Sequence, residues 1–208
     1  MLRWLLLTLT VSTHAWAHPV IYQDGWVAST MNMSDMTDAN LTYSLTSRWA
    51  LGVNYWRLKN TQGLEREWQL TKVNHLLWRH NGEDSQANLY VHSGIGRAEE
   101  GSGPGVLGWL GGAELDWETR VHFVGVKYLH LSLPTGDNPI TMARVGLSPK
   151  LADFNSLQSW AMLQAWYEPW SSREVKLTPL LRFFYHNVLW EMGSSFKGEW
   201  LMTLMVHY

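Results

Sequence analysis

The stretch EWLMTLMVHY, residues 199–208, decides how the rest of the chain is read. Trp200, Met202, Leu204, Val206 and Tyr208 alternate with Glu199, Leu201, Thr203, Met205 and His207. An apolar residue at every second position is the side-chain pattern of a β-strand with one buried or lipid-facing side. Chain ends ordinarily fray, so a last strand that closes on an aromatic side chain is expected to be tied into structure.

The same period runs back through the chain. From residue 25 onward, short alternating segments are separated by clusters such as SDMTD, HNGEDS, GSGPG, PTGDNP and SFKG, all of them turn chemistry. Strands are expected near residues 25–33, 39–46, 48–58, 67–79, 86–97, 106–117, 120–133, 139–148, 157–168, 174–185, 188–194 and 198–208. Segment 148–160 is poorly patterned, and no internal repeat or second domain is visible. Splitting residues 177–195 at YHN makes the strand count even, as a closed barrel with both ends on one side requires. Twelve strands is the expectation, with ten as the alternative.

The other end of the chain, MLRWLLLTLTVSTHAWA, has a basic residue at Arg3, a short apolar run and small residues at Ala15 and Ala17. That is the build of a secretory signal peptide, so residues 1–17 are read as a leader and 18–208 as the mature barrel. The alternative, an uncleaved anchor, is disfavoured because the apolar run is too short for a bilayer core of about 30 Å. No later apolar run reaches the length of about 18 residues that a spanning helix needs, so any span is made of strands. The chain has no cysteine, hence no disulfide and no thiolate metal site. A formal net charge of -2 without a basic run gives no field for nucleic acid.

Fourteen tryptophans fit an outer-membrane barrel, where aromatic girdles mark both interfaces, but also a soluble carbohydrate-binding sandwich. Periodicity alone cannot tell inside from outside. One face carries Trp200 to Tyr208, with Leu107, Trp109, Gly111, Ala113, Leu115 and Trp117, and Val175, Leu177, Pro179, Leu181, Phe183 and Tyr185. The opposite face carries Glu114, Asp116, Lys127, Arg144, Lys176, Arg182, Glu191 and Glu199, together with His75, His92 and His207. One segment, EWQLTKVNHLLWR, breaks the rule by placing Lys72 and Asn74 on the face of Trp68, Leu70, Leu76 and Trp78. A lysine at mid-bilayer on the lipid side costs about 2–4 kcal/mol, so either a bulge shifts the register there or that face is covered.

The two chain ends decide between barrel and sandwich. An alternating C-terminal strand with a terminal aromatic, WLMTLMVHY, behind a leader resembles the insertion signal of Gram-negative outer-membrane β-barrels. The resemblance implies an all-β, closed antiparallel transmembrane β-barrel. It also implies export through the periplasm, delivery by the outer-membrane insertion machinery, and contact with outer-membrane lipids and lipopolysaccharide.

Three constellations are candidates for chemistry. His130 and Ser132, in LHLSLPTGDNP, share an outward face near one rim. The pair resembles the base and nucleophile of outer-membrane phospholipase A and lipid A deacylases. Those families supply a third group some twelve to fourteen residues on, where this chain has Met142, Ala143 and Arg144, and they follow the serine with Asn, where it has Leu133. Asp137 or Asn138 could substitute only through an unusual hairpin. The alternative reading is two amphipathic residues at an interface. Met31, Met33 and Met36 beside His18 form a soft set that suits copper, against the alternative that the methionines are apolar filler. The third is the lumen charges Glu114, Asp116, Lys127, Arg144, Lys176, Arg182 and Glu191, whose mixed sign fits a narrow aqueous path or a salt-bridged plug. Walker and Rossmann glycine signatures are absent from the sequence. The expectation is a narrow channel or a solute- or metal-linked transport barrel, with an interfacial lipid hydrolase and a closed structural or adhesin-like barrel as alternatives.

Overall fold

The computed structural model describes residues 18–149 and 156–208. The leader read at residues 1–17 and part of the poorly patterned segment 148–160 lie outside the described residues. The remainder forms twelve strands: β1 Trp26–Met33, β2 Met36–Ser44, β3 Trp49–Lys59, β4 Glu65–Asn81, β5 Ser85–Glu100, β6 Val106–Thr119, β7 His122–Leu133, β8 Gly136–Leu147, β9 Gln158–Glu168, β10 Ser172–Tyr185, β11 Val188–Ser194 and β12 Trp200–His207. Each strand pairs with its sequence neighbours, and β1 pairs with β12 to close the barrel.

The opening stretch is half of that seam. Val27 through Met33 pair antiparallel with His207 through Leu201. Trp26 and Tyr208 then exchange backbone bonds, with N···O distances of 2.7 and 2.8 Å. A lipid environment leaves no free strand edge, because it offers nothing else to satisfy the backbone. The mouth carrying Trp26 and Tyr208 is called the near mouth. The far mouth is closed by six turns of two to five residues each.

The alternation resolves as charge inward and apolar outward. Trp200, Met202, Leu204, Leu107, Trp109, Leu115, Val175, Leu177 and Leu181 are all exposed on the outer wall. Exposed Trp26, Trp49, Trp78, Trp117, Tyr185 and Tyr208 ring the near end, with Trp109, Tyr167 and Trp200 toward the far end. An apolar wall with aromatic residues at two heights is the surface that a bilayer solvates. It is the reverse of a soluble sandwich, which would turn that face inward.

The irregular strand β4 obeys both of the reasons offered for it. The register shifts between Leu76 and Trp78. Trp68, Leu70, Lys72, Asn74 and Leu76 are buried inside, while Leu77 and Trp78 are both exposed outside. The bulge therefore gives Trp78 to the outer wall and keeps Lys72 out of lipid. Gly108 makes room for the inward indole of Trp68: a Cβ there would lie 2.9 Å from Trp68 Cδ1 and 2.5 Å from Ala98 Cβ.

The interior is less polar than the lumen charges suggest. Trp56, Leu58, Trp68, Leu70, Leu129, Leu131, Trp166, Met33 and Met36 belong to one buried cluster inside the barrel. Large side chains that fill the lumen supply packing that a wide pore gives up.

Candidate functional site

The interior has three levels. At the near mouth, residues 18–21 run inside the barrel. Val20 is buried against Ala50, Leu76 and Tyr90. Asn74 Nδ2 donates to the Pro19 carbonyl at 3.2 Å, the Ile21 N–H donates to Ser44 Oγ at 3.1 Å, and Tyr90 Oη lies 2.9 Å from His18 Nδ1.

The middle level holds the charges, in two networks. In one, Lys127 Nζ is 3.2 Å and His92 Nε2 is 3.5 Å from Glu114 Oε2, and His92 Nδ1 is 2.9 Å from Asn74 Oδ1. In the other, Glu191 Oε1 accepts from Arg182 Nε at 2.6 Å and Arg144 Nη1 at 3.1 Å, while Arg144 Nε donates to Gln164 Oε1 at 2.7 Å. The two networks border a cavity of about 130 Å³. Lysine and arginine face carboxylates of similar number across it, so the cavity has no single sign.

Above this level the apolar cluster narrows the lumen, and polar side chains then cross the far mouth. Arg66 on β4 binds Glu100, donates from Nη1 to Asn138 Oδ1 on β8 at 3.0 Å, and lies 4.5 Å from the Trp170 ring centroid. Asp35, in the β1–β2 turn, accepts from Ser171 Oγ at 2.6 Å and from Lys176 Nζ, which also lies 3.1 Å from Glu199. Glu100 is the paired neighbour of Arg66, but Arg66 to Asn138 and Asp35 to Ser171 and Lys176 join elements that are not neighbours, so those contacts span the opening itself.

Of the residues expected in the lumen, Glu114, Asp116, Lys127, Arg144, Arg182 and Glu191 border the cavity, while Lys176 belongs to the far mouth. Met33 and Met36 face each other across the Ser34–Asp35 turn and join the apolar cluster, with Met31 packed against it. Arg144 Nη2 lies 3.8 Å from Met31 Sδ, a cation where a metal ion would have to sit. His18 borders the same cavity as Met31 from the near-mouth side, but Met33 and Met36 lie in the apolar cluster at the far end of β1 and β2, so the structure does not gather the four residues into one copper site. Among the described residues no cluster of three His, Asp or Glu side chains has metal-binding geometry.

His130 and Ser132 do share the outer wall near the far mouth. The hairpin turns on Pro134 and Thr135, which sets Ser132 directly opposite Asp137. Ser132 Oγ donates to Asp137 Oδ1 at 2.6 Å, and His130 Nε2 is 3.4 Å from the same oxygen. A hydrolytic relay needs the histidine between serine and acid, taking the serine proton. Here the serine hydroxyl donates its hydrogen bond to the acid and not to the histidine, and Asn138 points inward to Arg66. The geometry does not support the hydrolase reading.

Sequence reasoning missed Arg66, Asp35, Tyr90 and Glu118 as interior residues. For β4 the signal was present, because the misfit of Lys72 with its neighbours marked an inward face.

No family model matches this sequence, and no curated protein matches it. Among solved structures, the barrel is similar to the KdgM porin in complex with disordered oligogalacturonate. The two share 7% identity at a TM-score of 0.50, over 88% of this chain and 98% of that one. The chain has the fold of an outer-membrane β-barrel. Pseudomonas aeruginosa OccK8 (OprE) aligns at a TM-score of 0.41 and 10% identity, over 87% of this chain but 62% of that one.

Proposed function

We propose that this chain is a small transport barrel of the Gram-negative outer membrane, a narrow channel for small polar solutes, with its near mouth toward the periplasm. The reading rests on the polar middle level. Asn40 Oδ1 and Asp116 Oδ2 line or border the cavity and have no hydrogen-bonding partner among the described residues. Buried polar atoms are satisfied by water when protein does not reach them, so the lumen is hydrated. A cavity of about 130 Å³ is well above the roughly 10–15 Å³ that a single water needs, so it holds several. An oligosaccharide does not fit this closed state, and the solute is of the size of an ion or a small metabolite. Mixed charge favours weak selectivity between cations and anions. On the same reading outer-membrane lipid and lipopolysaccharide solvate the wall, and β12 carries the signal for the insertion machinery.

The apolar cluster and the occupied near mouth favour a second reading, a closed structural barrel. Planar-bilayer conductance of the refolded protein separates the two. Small discrete steps with a reversal potential near zero in a salt gradient are the expected result. A silent membrane, from protein that shows the heat-modifiable mobility of a folded barrel, overturns the channel reading and leaves the structural one.

A further inference from the structure

We propose that removal of residues 1–17 exposes an α-ammonium group on His18 that docks on the buried carboxylates of Asp116 and Glu118, fixing residues 18–21 as a plug of the near mouth. The inference rests on the leader reading of residues 1–17 and is independent of whether the barrel conducts.

The argument starts from two carboxylates. Asp116 and Glu118, two residues apart on the inner face of β6, are 2% and 3% exposed. Asp116 Oδ1 accepts from Asn88 Nδ2 at 2.6 Å, and Asn88 Oδ1 in turn accepts from Arg79 Nε at 2.6 Å. The arginine thus reaches this acid only through an amide. Asp116 Oδ2 and Glu118 Oε1 have no hydrogen-bonding partner among the described residues. Burying two like charges side by side with only one amide donor between them is costly, and the cost falls sharply when a cation with hydrogen-bonding protons joins them.

His18 lines the same cavity as Asp116 and approaches Glu118. Its Nε2 is 3.9 Å from Glu118 Oε1, beyond hydrogen-bond reach, and its Nδ1 faces the Tyr90 hydroxyl. Its position does not depend on the ring alone, because Pro19, Val20 and Ile21 are each tied to the inner wall. In the precursor the His18 backbone nitrogen is a neutral amide with one proton. After cleavage between Ala17 and His18 it is an ammonium with three, on the residue already beside the acids. Peptide-bond hydrolysis consumes one water and leaves a carboxylate on the departing leader, so the positive charge stays with the barrel. Cleavage of the leader thus supplies, before the barrel folds, the charge on which the closed near mouth depends.

The test uses protein purified from outer membranes. Intact mass should place the first residue at His18. The folded protein is then treated with an amine-acetylating reagent at neutral pH and mapped by peptide mass spectrometry, with exposed Lys59 and Lys197 as internal references. The His18 amine is expected to react at least about 10-fold more slowly in the folded barrel than after unfolding. In the Asp116→Asn/Glu118→Gln double variant that protection is expected to disappear. Should that variant fail to fold, one alanine inserted before His18 displaces the amine without touching the barrel and should also abolish protection. A mature chain that begins elsewhere, an amine as reactive folded as unfolded, or protection that survives these changes overturns the inference. None of these readouts involves conductance, so a silent channel and a failed plug are distinguishable.

Discussion

Val126→Arg tests the assignment of inside and outside with one atom group at one depth. Val126 is exposed on the outer wall, and its paired neighbours at that level are Leu115 and Ala143. It lies four residues from His122 and seven from Leu133, the ends of β7. A strand rising about 3.3 Å per residue at a tilt near 40° climbs about 2.5 Å per residue along the barrel axis. Val126 is then about 10 Å above one end of the strand and about 18 Å below the other, near the middle of an apolar band about 25 Å tall. Arginine at that depth costs about 2–4 kcal/mol, or roughly 30-fold to 900-fold in the folding equilibrium. His122→Arg, at the strand's edge, is expected to cost about 0–1 kcal/mol. The natural control is Lys127, one residue along, which the same strand turns inward to Glu114. Urea titrations in phospholipid vesicles, followed by tryptophan fluorescence, read the difference directly. Equal stabilities for Val126→Arg and wild type, or equal costs at positions 126 and 122, would refute a lipid-facing wall.

Other expectations follow from the interior. Glu191→Leu removes the one carboxylate that Arg144 and Arg182 share and is expected to destabilise by about 3–5 kcal/mol, with Glu191→Gln losing much less, both measured by the same titration. Replacing Asp35 and Arg66 together by alanine cuts the contacts that cross the far mouth. Larger conductance steps or faster solute entry into liposomes should result, and unchanged permeation would place the constriction in the apolar cluster instead. Deleting Leu77 removes only the bulge residue and should cost no more than about 1 kcal/mol. Deleting Val73 turns one side of β4 over and should abolish the heat-modifiable folded band on gels.

The outer wall was legible because it follows one rule. In β6, β10 and β12 every second side chain meets lipid, so alternation, girdle residues and turn chemistry all agree. The lumen was legible only where it is charged. In β4 the inward residues Trp68, Leu70 and Leu76 have the chemistry of the outward ones, and hydropathy carries no mark of the side on which an indole lies. The bulge at Leu77 hides further, since one extra residue looks like a lapse in pattern. The β1–β2 turn was expected to run through SDMTD, whereas only Ser34 and Asp35 form it and Met36 already pairs with Met33. The bridge from Arg66 to Asn138 joins residues 72 positions apart, a distance that closure of the cylinder sets and no local window reports. The segment 18–21 has no periodicity at all, because it is held by single contacts rather than by a ladder.

The β1–β12 seam also orders events in time. All other strand pairs form between neighbours along the chain, most across turns of a few residues, and can grow as a train of hairpins. The seam alone joins Val27 to His207, 180 positions apart. Bringing such distant points together from an open coil costs about 4–5 kcal/mol of chain entropy. A sheet that has already coiled through eleven pairings delivers its two edges to each other with most of that search complete. Zipping the seam is therefore expected to come last, and until it happens β1 and β12 are open edges able to pair with any other strand. Substitutions in those two strands should slow the arrival of the native barrel more than changes of equal size elsewhere.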